Sequence, residues 1–331
     1  MRLSGDCLFL GVTLSTGLSA SCAEAFLRCP LAPAHRSGGG RAGWASCGSL
    51  LARILLSLRT MLSAASVECP LHCACTAAVE LTARSFTLWR CGECGLVRTD
   101  PPPDQQALVA RYDSADYLRL ASTEDGLRRR CTDRMQVIRP HLPPGALFDV
   151  GAGGGTFLSV AKEAGYEVSG LDLSSRWAEH ARQRHGVEVM VAELMAAELP
   201  VGGFDVITLW HMLEHLPDPL AALRKLQRAL RPGGRLVTEV PNYGAPTVRL
   251  KCWWLAKTRH DGQRWRHLNP WEHCWHFEHN SLKRCLAAGG FEPGLLRTMS
   301  GDSNAGGASR FHRLLQARDW GGRLLCVAKP Q

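Results

Sequence analysis

The body of this 331-residue chain lacks any uncharged apolar run of about 18 residues or more, which excludes a membrane-spanning helix there. It also lacks a dense basic run. Lys and Arg number 39 against 30 Asp and Glu, but the surplus is scattered, with six arginines against Asp6 and Glu24 in residues 1–60. A surplus spread in this way reads as solvated surface and argues against a nucleic-acid face. Apolar residues make up 45% of the chain, enough for a sizeable core in one large domain or two smaller ones. Cysteine, in contrast, is plentiful at 14, and five of them crowd between Cys69 and Cys94. Such clustering points to a metal site more than to a disulfide framework.

Residues 1–66 differ from the rest. The apolar stretch CLFLGVTLSTGLSASCA looks like the core of an export signal, and PAHRSGGGRAGWASCGS after it has no periodicity. We expect an unstructured or non-native extension, with a functional start near Met61. The thiols downstream suit a reducing, cytoplasmic compartment.

A small β module is expected over residues 67–103. Cys91-Gly-Glu-Cys94-Gly95 is a C-x-x-C-G knuckle that aims two thiolates at one point, with Gly95 letting the backbone fold over the sulfurs. Cys69 supplies a third ligand. The fourth comes from His72, at C-x-x-H spacing, or from Cys73 or Cys75. AVELTARSFTLWR between the two halves alternates like two short strands, as a zinc ribbon requires. The following prolines end a strand, and Asp104 caps a helix that opens a helical linker over residues 104–142.

The stretch LFDVGAGGGTFLS, residues 147–159, runs a buried strand into glycines and then into a helix. YEVSGLDLS makes the next strand and ends on Asp172, so the two form a β-α-β unit. A phosphate loop is excluded because no Lys follows the glycines, and a dinucleotide loop fits poorly because Thr156 replaces its third glycine. Asp149 directly before the glycines adds negative charge where a pyrophosphate would sit. It suits a ligand with an ammonium and a sulfonium group.

These residues resemble the first two motifs of class I S-adenosylmethionine-dependent methyltransferases. AELPVGGFDVITLWHMLEHLPDPLAALRKLQRALRPGGRLVTEVPN continues the likeness through the family's fourth strand, helix, Pro-Gly-Gly turn and fifth strand. The amino-terminal Cys ribbon and the later pattern W…L…P…H…HF resemble a bacterial subgroup. The resemblance implies a Rossmann-like seven-stranded mixed sheet with helices on both faces, over residues 143–331. It implies that Asp149 and the backbone of Gly151 and Gly153 hold the methionine part of the cofactor. Asp172 would take the ribose hydroxyls, with Leu173 beside it. Glu193 would lie near the adenine amino group, Leu194 would flank the ring, and Leu209, Trp210 and His211 would face the methyl group.

The acceptor is less constrained. The segment after Trp210 has no acid-or-Asn-Pro-Pro-aromatic motif and no Pro-Cys nucleophile, which argues against methylation of DNA bases. His211, Glu214 and His215 are spaced i, i+3, i+4, as on one helical face, and resemble the Glu-His of quinone-precursor O-methyltransferases. His215 or His211 would act as general base. An insertion over about 243–280 is rich in Trp and His, with His273 and His276 as further bases and tryptophans placed to stack a ring or sugar. The expectation is O-methylation of a small aromatic or glycan-type molecule, with structural zinc in the ribbon. An RNA methyltransferase and a non-catalytic module that keeps the cofactor fold are the alternatives.

Overall fold

Alternating strand side chains divide the core in two. Along β4 (Ala146–Val150) Leu147 joins one buried cluster, while Phe148 and Val150 join the other. Neighbouring strands repeat this alternation, because successive side chains point to opposite faces. A sheet apolar on both faces needs helices on both faces. The computed structural model describes residues 69–71, 73, 77–83, 85–113, 124–258, 265, 268–299 and 320–331, all within one structural unit. The expected extension over residues 1–66 lies outside them.

The large sheet has seven strands. In chain order they are β4, β5 (Glu167–Asp172), β6 (Val189–Val191), β7 (Phe204–Trp210), β8 (Leu230–Pro241), β10 (Phe291–Met299) and β11 (Arg323–Pro330). Their spatial order is β10-β11-β8-β7-β4-β5-β6. β4 to β8 run parallel, while β11 is antiparallel to both β8 and β10. The order reverses at β4, and in such sheets ligands bind beyond the carboxyl ends of the strands at that point. This is the Rossmann-like mixed sheet that the sequence implied.

One face is covered by α5 (Pro219–Ala229) and α7 (His279–Ala288), through Leu220, Leu223, Leu226, Leu282 and Leu286. The other is covered by α2 (Glu124–Ile138) and α3 (Thr156–Glu163), through Cys131, Met135, Ile138, Phe157 and Leu158, with Ala181 of α4 (Ser175–His185). α2 therefore belongs to the main domain and is not a linker. Among the described residues α1 (Gln105–Tyr112) begins the predicted linker, and the Asp104 carboxylate caps it by accepting from the Gln106 and Ala107 amides at 3.0 and 3.2 Å.

A second sheet has the order β1-β2-β3-β9, with β1 (Ala77–Thr82), β2 (Thr87–Cys91) and β3 (Val97–Asp100) forming the expected ribbon. Its fourth strand, β9 (Trp275–His276), comes from the insertion and pairs with β3. α6 (Pro246–Lys257) closes over the ribbon with Cys252 and Leu255, in a cluster with Phe86, Leu88, Val97 and Trp265. The module and the insertion thus pack together through β9 and α6, where the sequence pattern implied a separate ribbon.

Candidate active site at the strand ends

At the carboxyl end of β4 the chain turns through Gly151 and Gly153, both left-handed with φ of 77° and 52°. Glycine enters this region without steric cost. A Cβ on Gly151 would meet Met212 Sδ at 2.4 Å, whereas one on Gly153 would meet nothing within 4 Å, so the loop is tight at one point and open at the other. The loop is held from beneath. The amides of Gly151 and Ala152 both donate to the Leu171 carbonyl, at 2.7 and 3.0 Å.

Asp149 and Asp172 flank this loop. β4 and β7 place Asp149 beside Thr208, whose hydroxyl donates to Asp149 Oδ1 at 2.5 Å. Burial pushes the Asp149 carboxyl up to about 7, against the Thr208 hydrogen bond and the attraction of Arg134. A carboxyl kept inside at that cost needs a cationic partner to ionise fully. Asp172 accepts from the Gly153 amide at 2.8 Å and the Ser174 amide at 2.9 Å, one on each oxygen. Burial still raises its pKa, against the backbone hydrogen bonds from Ser174, Gly153 and Leu173. The Gly151 and Gly153 amides are therefore engaged within the protein. Two adjacent acids, an open glycine and no basic residue in the loop fit the ammonium and ribose hydroxyls of S-adenosylmethionine better than a phosphate.

The flanking predicted residues divide. Glu193 is exposed, and its carboxylate accepts from the Met195 amide at 3.3 Å. Leu173 is half-buried beside Asp172, and Leu194 is buried. Leu209 is fully buried, in one cluster with Phe148, Leu171 and Ile207. Trp210 lies on the opposite face, packed edge-on against Phe157 and beneath the Arg134 guanidinium at 4.5 Å.

Residues 211–215 form a turn, not the helix that the spacing implied, and α5 begins only at Pro219. His211 is left-handed, with φ of 56°, and its amide donates to the Glu239 carbonyl at 2.8 Å. That bend brings its ring between two buried acids, with Nδ1 at 3.3 Å from Glu214 and Nε2 at 3.0 Å from Glu239. Burial opposes its charge, but the two carboxylates outweigh burial and raise its pKa. Glu239, at the end of β8, also meets Arg134 at 2.5 Å and Arg323 at 3.2 Å, and the His211 hydrogen bond with these two cations holds its carboxyl low despite burial. Glu239, Arg134 and Arg323 escaped the sequence reading. The signal was an acid inside the otherwise apolar VTEV of a buried strand.

His215 turns away from Glu214's partner. Its Nδ1 lies 2.9 Å from the Glu272 carbonyl oxygen, and because a carbonyl only accepts, Nδ1 carries the proton. Nε2 keeps its lone pair. Glu272 is fixed by the Asn269 amide at 2.8 Å, the Tyr112 hydroxyl at 3.2 Å and an ion pair with Arg111. His273 stacks edge-on against His215 with centroids 4.7 Å apart. Burial, with His215 and His276 nearby, holds it well below its usual range. Burial also pulls His276 down to about 3, and its Nε2 bonds the Thr99 hydroxyl at 2.8 Å beneath the ribbon. His276 is therefore a strut between the insertion and the ribbon. Trp265 and Trp275 are buried, while Trp253 and Trp254 of α6 are exposed and do not line this site.

In the ribbon, Cys69, Cys73, Cys91 and Cys94 bring their sulfurs within 4.8 Å of one another. Of the three residues left open for the fourth place, Cys73 is the one described, and its sulfur joins the other three; His72 and Cys75 lie outside the described residues. The Cys94 amide points at Cys91 Sγ and the Leu96 amide at Cys94 Sγ, at 3.4 and 3.5 Å, as expected of a thiolate knuckle.

A seven-stranded sheet of this order, with paired acids after its first two strands, defines a Rossmann-like cofactor-binding protein. A family model described as a methyltransferase domain matches residues 124–294, and the chain belongs to that family. The chain is similar to the ubiquinone biosynthesis O-methyltransferase of Xanthomonas campestris pv. campestris, with 38% identity over 112 residues, 31% of this chain and 46% of that protein. The Idiomarina loihiensis protein of the same name is 32% identical over 133 residues, 36% of this chain and 54% of its own length. The chain thus spans about half the length of the curated relatives it matches. Magnesium protoporphyrin IX methyltransferase from Synechocystis PCC 6803, solved with bound SAH, superposes with a TM-score of 0.50 at 15% identity. The superposition covers 69% of this chain and 100% of that one, a likeness of fold. Among the described residues no helix is long and apolar enough to cross a membrane.

Proposed function

We propose that this chain transfers a methyl group from S-adenosylmethionine to a hydroxyl of a small aromatic or glycan-type molecule. The observation that carries the reading is a pair of acids, the buried Asp149 and the half-buried Asp172, on either side of a left-handed glycine loop at the point where strand order reverses. Asp149 and the Gly151 and Gly153 carbonyls hold the amino-acid end, Asp172 the ribose, and Glu193 with Leu194 the adenine side. When bound, the cofactor supplies an electrophilic methyl group. The relatives named above methylate oxygen by their names, which supports the same acceptor atom here.

The chain's own task is to align the hydroxyl and remove its proton, and alignment of this kind contributes roughly 7–11 kcal/mol in favourable cases. His215 is the general base. Its proton on Nδ1 is committed to the Glu272 carbonyl, so Nε2 is free to accept. His211 is already shared by Glu214 and Glu239. It shapes the turn and places positive charge beside the acceptor. The four ribbon cysteines fit a tetrahedral zinc that braces the acceptor side.

Calorimetry with S-adenosylmethionine tests the donor half, and a search for metabolites that gain one methyl group tests the acceptor half. Absence of cofactor binding by the folded chain would reduce it to a non-catalytic module.

A further inference from the structure

α1 buries only Leu108 among its eight residues, so apolar packing does little to hold it, and a helix of that length does not persist alone. Polar contacts at its carboxyl end place it. Arg111 forms an ion pair with Glu272. The Tyr112 hydroxyl donates to Glu272 Oε2 at 3.2 Å and lies 3.4 Å from His215 Nδ1, and its ring meets the imidazole edge-on. Nδ1 carries its proton toward the Glu272 carbonyl, so the tyrosine oxygen is a second, weaker acceptor before the same N–H. The next residue reaches the donor end. Asp113 accepts from the Ser174 hydroxyl at 2.8 Å, and that bond, with the Arg176 amide, holds its carboxyl below the usual range. Ser174 is fully buried. Its hydroxyl also accepts from the Trp177 amide at 3.2 Å, and its own amide donates to Asp172 at 2.9 Å.

We infer that Tyr112 and Asp113 are positioning residues, a clasp that sets the general base against the methyl donor. One peptide unit joins them and holds their Cα atoms about 3.8 Å apart. The support of the ribose acid and the support of the base are therefore fixed to each other. A donor settling on Asp172 restrains Ser174 and Asp113, and through Tyr112 it restrains Glu272 and His215. Such a tie matters in a transfer whose rate depends on alignment, where misplacement by about 1 Å costs roughly a hundredfold. The clasp rests on the methyl-transfer reading, since it needs a donor at Asp172 and a base at His215.

The probe is S-adenosylhomocysteine, the donor without its methyl group, which fills the site without turnover. Calorimetry on the full chain gives its affinity. The imidazole nitrogen resonances of His215, assigned by their loss in H215N, are followed by NMR at saturation. Saturation of the parent should shift these resonances. Y112F should keep the affinity within about twofold and lose the shift. D113A should weaken the affinity about threefold to tenfold, through loss of a charge-assisted hydrogen bond, and should also lose the shift at saturation. Both side chains are half-buried, and both variants should keep the parent's melting temperature. A shift that persists in either saturated variant, or that is absent from the saturated parent, would overturn the clasp. Failure of the folded parent to bind S-adenosylhomocysteine would instead remove the methyl-transfer reading, and the clasp with it.

Discussion

Asp149, the glycine loop and Asp172 lie within one strand-loop-helix-strand passage, and main-chain amides hold most of it in place. The opposite end of the site is built from distant segments. Arg134 comes from α2, His211 and Glu214 from the turn after β7, Glu239 from β8, Glu272 and His273 from the insertion, and Arg323 from β11. The donor end is thus rigid because the backbone makes it so. The acceptor end is rigid only while a network of buried charges and a second sheet support it. Local hydrogen bonds survive small shifts in packing, whereas buried ion pairs leave an uncompensated charge when one member is lost.

Removing the proposed zinc should produce the largest difference between the two ends. Structural zinc contributes roughly 10 kcal/mol in small peptides that depend on it. Chelation should raise amide exchange across β1 to β3 and β9, and leave cofactor binding at Asp149 measurable. A chain that purifies without metal, or whose donor end melts together with the ribbon, would break the distinction.

Glu239→Ala should cost about 3–5 kcal/mol in denaturant unfolding, because Arg134, Arg323 and His211 lose their shared partner. A cost below about 1 kcal/mol would show the network to be solvated.

Asp149 sharpens the contrast through pH. Its folded pKa, about 7, exceeds the usual 3.8, so the folded state holds this proton more tightly than the unfolded state. Its contribution is therefore fully present below the lower value and is lost as pH rises toward the upper one, a change of about 2–4 kcal/mol. Asp149→Asn should flatten that slope between pH 4 and pH 7 and stabilise the cofactor-free chain at higher pH. The same change should weaken S-adenosylmethionine about a hundredfold in calorimetry. Unchanged affinity would move the ammonium site elsewhere.

The smallest effect is expected away from both ends. Asp218 caps α5 by accepting from the Ala221 amide at 2.9 Å, and Asp218→Ala should cost about 1 kcal/mol without changing cofactor affinity.

The geometry of the glycine loop was legible because its residues are contiguous. A strand-end acid, left-handed glycines and a second acid one β-α-β unit later carry their geometry with them. The alternation of AVELTARSFTLWR was enough for β1 and β2, and Asp104 for the cap of α1. The i, i+3, i+4 spacing of His211, Glu214 and His215 implied a helix, but the chain turns there, and His211, at positive φ, still meets Glu214 at 3.3 Å.

By itself, the order of residues determined the seven-stranded fold, the donor loop and the cysteine knuckle, since each rests on short-range periodicity and backbone conformation. Tertiary structure alone decided that Cys73 joins Cys69, Cys91 and Cys94, that β9 of the insertion completes the ribbon sheet, and that Glu239 gathers Arg134, Arg323 and His211. It also decided that α6 turns its indoles outward. Those outcomes depend on which distant segments meet, and the meeting is set by burial of both sheet faces and by pairing of buried charge.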